Sequence, residues 1–281
     1  MIRPVALSGA HMECTSLEET VPALTDLLGF TEASRAPGTA TLRHPHSNWT
    51  LTVHEGGEPY PDRPRHHHFG VRVEHKTEVD AARQYLNAHR DEYHLGHVDA
   101  PVVGHGSYSL HFQEPGTNYW EIECYEDVLR KDSGGERLGG VRSRHWDEAG
   151  VEESLPSRGY LPLAFTHGTL GATDADAYGH FIEQVLGLEA HRAYAAVRYI
   201  KHPTTKHFVV ALQVPQLHQF SPNFRFTVTL ESPEAVEDAH RELQARKSEA
   251  GLTELGSLQT DGATASFVLR DMNGNWWELA A

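Results

Sequence analysis

The chain has 281 residues, with 39 acidic against 24 basic side chains and a formal net charge of −15, which argues against nucleic acid as a partner because such a surface repels a phosphate backbone. No apolar run approaches a membrane span, and the opening MIRPVALSGAH lacks the basic start and apolar stretch of a secretion signal; the expectation is a cytoplasmic protein, off the membrane, that handles a small molecule. Two cysteines, Cys14 and Cys124, are too few for a disulfide framework and are expected to be reduced packing residues, whereas 21 histidines raise the prior for metal or proton-transfer chemistry.

In chain order, a short strand ending near His11 leads into an amphipathic helix over 17–28, stopped by Gly29. A run rich in β-branched and aromatic residues at 48–54 reads as a strand. Another strand at 68–73, a helix at 78–89 and two further strands carry the chain to residue 125. Residues 126–159, which include KDSGGERLGG, read as a linker. The pattern then starts again: a strand at His167, a helix over 174–186 closed by Gly187, a strand at 206–212, another at 225–230, a helix over 233–246, and two closing strands. The expected domains are 1–125 and 160–281.

The second part is an internal repeat of the first. Asn118-Tyr119-Trp120-Glu121 returns as Asn275-Trp276-Trp277-Glu278, 157 residues later. At the same spacing His68-Phe69-Gly70-Val71 meets Arg225-Phe226-Thr227-Val228. Leu28-Gly29-Phe30 matches Leu186-Gly187-Leu188, and His11 matches His167. Trp120, Trp276 and Trp277 read as core aromatics.

A His on an opening strand, Leu27-Leu28-Gly29-Phe30 after the first helix, His68-Phe69-Gly70-Val71, and a closing Glu114-Pro115-Gly116-Thr117-Asn118-Tyr119-Trp120-Glu121 together resemble the vicinal oxygen chelate superfamily. That group includes glyoxalase I, type I extradiol dioxygenases, and bleomycin and fosfomycin resistance proteins. The resemblance implies an α+β fold of four tandem βαβββ modules forming two cup-shaped mixed-sheet domains. It also implies metal ligands His11, His68 and Glu121 in the first half. The matching second-half positions hold His167, Arg225 and Glu278; Arg225 is cationic and cannot ligate a metal, so this copy is expected to be degenerate. If the modules pair crosswise instead, His167 replaces His11 beside His68 and Glu121, and His11 sits with Arg225 and Glu278.

Two imidazoles and a carboxylate leave about three open positions on a six-coordinate ion, the arrangement of non-haem Fe(II) oxygenases. Glyoxalase-like relatives add a fourth ligand, which would fall near Thr50, and no good donor stands there. Fe(II) is the expected ion, with Mn(II), Zn(II), Ni(II) and Co(II) as alternatives. His54 shares strand parity with Thr50 and Thr52 and is a candidate near the metal. His111, ten residues before Glu121, stands where extradiol enzymes are similar in carrying a Tyr, and is a candidate acid/base group. His105 and Tyr108 are weaker candidates. Glu123 shares the face of Glu121 and is its rival. The expected function is an extradiol-type ring-cleaving dioxygenase taking O2 and a chelating catechol- or hydroquinone-like aromatic. The alternatives are a glyoxalase-like metal-dependent lyase or isomerase and a metal-free small-molecule binding or resistance protein. An exposed sheet edge in such a fold leaves a homo-oligomer open.

Overall fold

A computed structural model describes residues 2–58, 63–104, 106–125 and 156–281; His105 and residues 126–155 of the expected linker lie outside them. Three βαβββ modules follow one another, and a fourth has the same plan with one extra short strand. The first is β1 (Pro4–Cys14), α1 (Leu17–Leu28), β2 (Thr31–Ala36), β3 (Thr39–Arg43) and β4 (Thr50–Glu55). Next come β5 (His68–Arg72), α2 (Lys76–Ala88), β6 (Val102–Gly104), β7 (Ser107–Gln113) and β8 (Tyr119–Cys124). The third has β9 (Ala164–Ala172), α3 (Ala175–Phe181), β10 (Glu189–Tyr194), β11 (Val197–Lys201) and β12 (Phe208–Gln213). The fourth has β13 (Arg225–Leu230), α4 (Pro233–Ala245), β14 (Glu254–Leu255), β15 (Gln259–Thr260), β16 (Ala265–Arg270) and β17 (Trp276–Ala280). The fold is α+β with curled mixed sheets, as expected. Among the described residues no helix is long and apolar enough to cross a membrane.

Contacts divide the chain into two compact units, residues 13–168 and residues 1–12 with 169–281. The chain passes between them inside β1 and again inside β9. In the 13–168 unit, β5 runs parallel to β8 and antiparallel to the first half of β9, while β7 pairs antiparallel with β8. This register puts Gly70 opposite both Glu121 and His167, and His111 opposite Glu121. In the other unit β13 is likewise parallel to β17 and antiparallel to β1, with His11 opposite Arg225.

The apolar face of α1, with Leu17, Val21, Leu24 and Leu28, is buried, and an aromatic cluster of Phe30, Trp49, Phe69, Trp120 and Phe165 fills the core, Trp49 stacking on Phe165 at 4.6 Å. Gly29 and Gly187 end the first helix of each half with φ of 76° and 71°, supplying the left-handed cap read from sequence. After α3 the chain adds a π-helical turn over Ile182–Leu186, which the periodicity had not distinguished from plain helix. Cys14 and Cys124 are buried and reduced.

A buried carboxylate bolts the first helix of each half to the turn before its closing strand. Glu114 accepts the backbone N–H of Gly116 at 2.7 Å and of Asn118 at 2.8 Å, and the Thr20 hydroxyl of α1 at 3.0 Å. Asp271 repeats this with the N–H of Asn273 at 2.8 Å, that of Asn275 at 3.0 Å, and the Tyr178 hydroxyl of α3 at 2.6 Å. Within the turns, Gly274 has φ of 83°, while its counterpart Thr117 has φ of 66°, a conformation in which a β-branched residue crowds its own backbone. Thr117→Gly is expected to raise stability by up to about 1 kcal/mol, the relief of strain exceeding the added freedom of the unfolded chain; thermal denaturation checks it.

His44 is buried edge-on to Phe30 at 5.6 Å, and burial pulls its pKa down to about 3, helped by the charge on His46. A folded-state value below that of the free side chain means that the unfolded chain takes up a proton which the folded chain refuses. Stability is therefore complete above the free-histidine value of about 6.5 and is lost as pH falls from there towards about 3. His44→Phe is expected to remove about 2 kcal/mol of the stability difference between pH of about 7 and about 4.5, read from urea midpoints at each.

Candidate metal centre

The parallel pair β5 and β8, flanked by β7 and β9, carries the candidate residues of the 13–168 unit. His68 opens β5, Glu121 faces the same side from β8, and His167 reaches them from β9. Glu121 Oε2 lies 3.4 Å from His68 Nε2 and 3.1 Å from His167 Nε2. His111, on β7, places its Nε2 3.7 Å from the other oxygen, Oε1. The rings of His111 and His167 each stand edge-on to that of His68, at 4.7 Å and 5.4 Å. Gly70 makes the convergence possible, since a Cβ there would collide with the His167 ring.

The hydrogen bonds behind the rings fix which nitrogen carries the proton. His68 Nδ1 lies 2.7 Å from the carbonyl of Arg65, and a carbonyl only accepts, so Nδ1 holds the proton. His167 Nδ1 lies 3.0 Å from Thr166 Oγ1, whose own hydrogen goes to the Gly70 carbonyl at 3.1 Å; here too Nδ1 must donate. Glu123 Oε1 stands 3.6 Å behind His167 Nδ1 and is itself gripped by the buried Arg72 guanidinium at 3.0 Å. A histidine tied through Nδ1 to a carbonyl or carboxylate is the usual outer support of a metal ligand.

With Nδ1 engaged behind each ring, Nε2 is the atom that both turn towards one carboxylate oxygen, as a donor to Glu121 or, once deprotonated, as a lone pair for a cation. Burial works against the Glu121 charge, yet the charge on His111 and hydrogen bonds from His167 and His68 hold its pKa well below the usual carboxylate range. Burial also pulls His111 down to about 4. A buried carboxylate faced by imidazole Nε2 atoms is a donor set that fits a divalent transition metal, with Glu121, His68 and His167 as the candidate ligands. The two Glu121–imidazole spacings suit this role, because cis donors about 2.1 Å from an ion stand about 3.0 Å apart on an octahedron and about 3.4 Å on a tetrahedron.

His11, expected beside His68 and Glu121, belongs instead to the other unit. Its Nε2 is 3.1 Å from Thr227 Oγ1 and 3.2 Å from Glu278 Oε2. The reason is strand pairing: β1 lies along β13, and β5 along β9, so the crosswise arrangement places His167 in the centre. Around Glu278, the Thr227 hydroxyl donates at 2.8 Å and Arg225 Nη2 at 3.1 Å. Although burial opposes its charge, His11 and Arg225 hold the Glu278 carboxyl at about 2. Arg225 supplies the positive charge there, and Thr227 stands where Gly70 leaves room in the first centre.

Two other expectations are corrected. His54 lies on β4 opposite Thr39, outside both donor groups formed in its unit, namely His68 with His111 and Glu121, and Glu121 with Glu123 and His167. The strands bearing those groups are β5, β7, β8 and β9, so parity alone could not bring His54 to them. Tyr108 has the opposite parity to His111 and points at α2, where its hydroxyl donates to Asp80 at 2.7 Å and Lys76 covers its ring. Arg65, Thr166 and Arg72 were missed, because backbone acceptors and outer partners carry no spacing signal. Glu123 was visible as a rival ligand, and it does form a donor group with Glu121 and His167.

Residues 12–122 match the profile of the Glyoxalase/Bleomycin resistance protein/Dioxygenase superfamily. A search of curated protein sequences finds no match. Among solved structures, glyoxalase I from Zea mays is similar with a TM-score of 0.64 at 13% identity, over 98% of this chain and 91% of that one. A Bacillus subtilis protein named provisionally as a dioxygenase is similar with a TM-score of 0.64 at 11% identity, over 100% of this chain and 86% of that one. At these identities the likeness concerns the fold.

Proposed function

Since the segment 12–122 belongs to the glyoxalase/bleomycin resistance protein/dioxygenase superfamily, we propose that the protein is a metal-dependent enzyme whose single centre is His68, Glu121 and His167, acting as an extradiol-type dioxygenase on a catechol- or hydroquinone-like aromatic. The observation that carries this reading is the pair of Nε2 atoms aimed at one Glu121 oxygen while both Nδ1 atoms are tied down behind. A bound divalent ion supplies Lewis acidity for a chelating substrate and, as Fe(II), the electrons for O2 chemistry. The chain's own contribution is positional and protonic. The Arg65 carbonyl and Thr166 hydroxyl hold His68 and His167 in the tautomer that presents Nε2, and Glu123 backs His167. His111 turns its Nε2 towards the other oxygen of Glu121, at 3.7 Å.

The test is anaerobic loading with Fe(II) followed by oxygen uptake over a panel of catechols and hydroquinones. Substrate-dependent uptake, lost in Glu121→Gln, is expected; no uptake with any member sinks the dioxygenase reading. A second reading, a redox-neutral glyoxalase-like lyase or isomerase, is favoured by one observation: a further imidazole, His111, converges on Glu121. It is supported if Ni(II)-, Zn(II)-, Mn(II)- or Co(II)-loaded protein converts a chelating substrate without consuming O2.

A further inference from the structure

We propose that His111 is a fourth protein donor to the metal, giving a centre of three imidazoles and one carboxylate. The inference rests on the reading of His68, Glu121 and His167 as a metal site. The sequence count sought a fourth donor near Thr50 on β4 and found none; the register of β7 against β8 supplies one from the other direction, with His111 directly opposite Glu121.

His111 Nε2 is 3.7 Å from Glu121 Oε1, too far for a hydrogen bond, and neither ring nitrogen hydrogen-bonds to a described residue. Its side chain is only 13% exposed, so water does little to compensate. A buried imidazole that faces a carboxylate with no hydrogen bond between them leaves room for a cation held by both. Three imidazoles then surround one carboxylate, His68 and His167 on Oε2 and His111 on Oε1. His68, His111 and Glu121 each have a ligand atom within 4.8 Å of the others, and a second such group, Glu121 with Glu123 and His167, shares the same carboxylate.

The repeat gives an independent comparison. At the positions matching His68 and His111 the other unit has Arg225 and Val268, and Val268 faces Glu278 across β16 and β17 just as His111 faces Glu121. Where a guanidinium satisfies the carboxylate, no imidazole is present on the neighbouring strand. The histidine of β7 accompanies the donor set and is absent without it.

Four protein donors leave a six-coordinate ion two positions, against three for the open triad. Two positions would still accept a substrate with two adjacent oxygens.

The test loads the purified protein with Co(II) alone and counts imidazoles by X-ray absorption, with affinity measured by calorimetry. Three imidazoles are expected in the wild type and two in His111→Phe and His111→Gln, with an affinity loss of about 10- to 100-fold in each. Two imidazoles in the wild type, with unchanged affinity in both variants, overturn the proposal and leave the three-donor site intact. If the wild type binds no Co(II) at all, the metal reading falls, and this inference with it. Because the count is made on the wild type, misfolding of a variant does not decide the question.

Discussion

Replacing His167 with alanine is expected to lower affinity for a divalent metal by more than about 100-fold, whereas His11→Ala should change it by less than about twofold. The pair of variants separates the two ways in which the four modules can combine. His167 Nε2 is the nearest imidazole nitrogen to Glu121, at 3.1 Å, and its other nitrogen is fixed by Thr166. His11 is engaged with Glu278 and Thr227 in the other unit, so its removal costs stability there without touching the donors. Calorimetric titration with Co(II) or, without oxygen, with Fe(II) reads both. Equal loss in the two variants, or loss only in His11→Ala, would return the site to the neighbour-paired arrangement.

The second large effect concerns Arg72, which is fully buried, donates to Glu123 at 3.0 Å and lies 4.5 Å from the centroid of the Tyr125 ring. Arg72→Leu leaves a buried carboxylate without its counter-ion and is expected to cost about 3–5 kcal/mol. The double variant Arg72→Leu with Glu123→Leu removes both charges and should recover much of that stability, since a buried pair is often replaceable by apolar residues. Metal affinity should behave differently. Glu123 backs His167 Nδ1, so the double variant is expected to bind metal about 10- to 100-fold more weakly than wild type despite its regained stability. Urea denaturation and Co(II) titration of the three proteins measure the two quantities separately; parallel recovery of both would show that Glu123 has no part in holding His167.

The fold was readable because it is written twice. An offset of 157 residues joins Asn118-Tyr119-Trp120-Glu121 to Asn275-Trp276-Trp277-Glu278, and helices bounded by Gly29 and Gly187 recur at the expected places. His68 and Glu121 were readable for the same reason, since they adjoin matched strands. The choice between His11 and His167 was not, because both open a module on equivalent strands, and only the pairing of β1 with β13 and of β5 with β9 separates them. His54 failed for a related reason: parity tells which face of a strand a side chain occupies, but not which strand lies beside it. The supports of the centre were hidden more deeply. The Arg65 carbonyl is a backbone atom that any residue could supply, and Gly70 matters through the side chain it lacks.

Crossed strands give the centre a dual ancestry. His68, His111 and Glu121 come from the first copy of the repeat, and His167 from the second, carried in on the opening half of β9. Neither copy alone contains the full donor set, so a bound ion joins chain segments about a hundred residues apart, as a cross-link would. Fragments split between the copies would be expected to recover metal binding only when mixed, and the ion itself would report how tightly they reassociate.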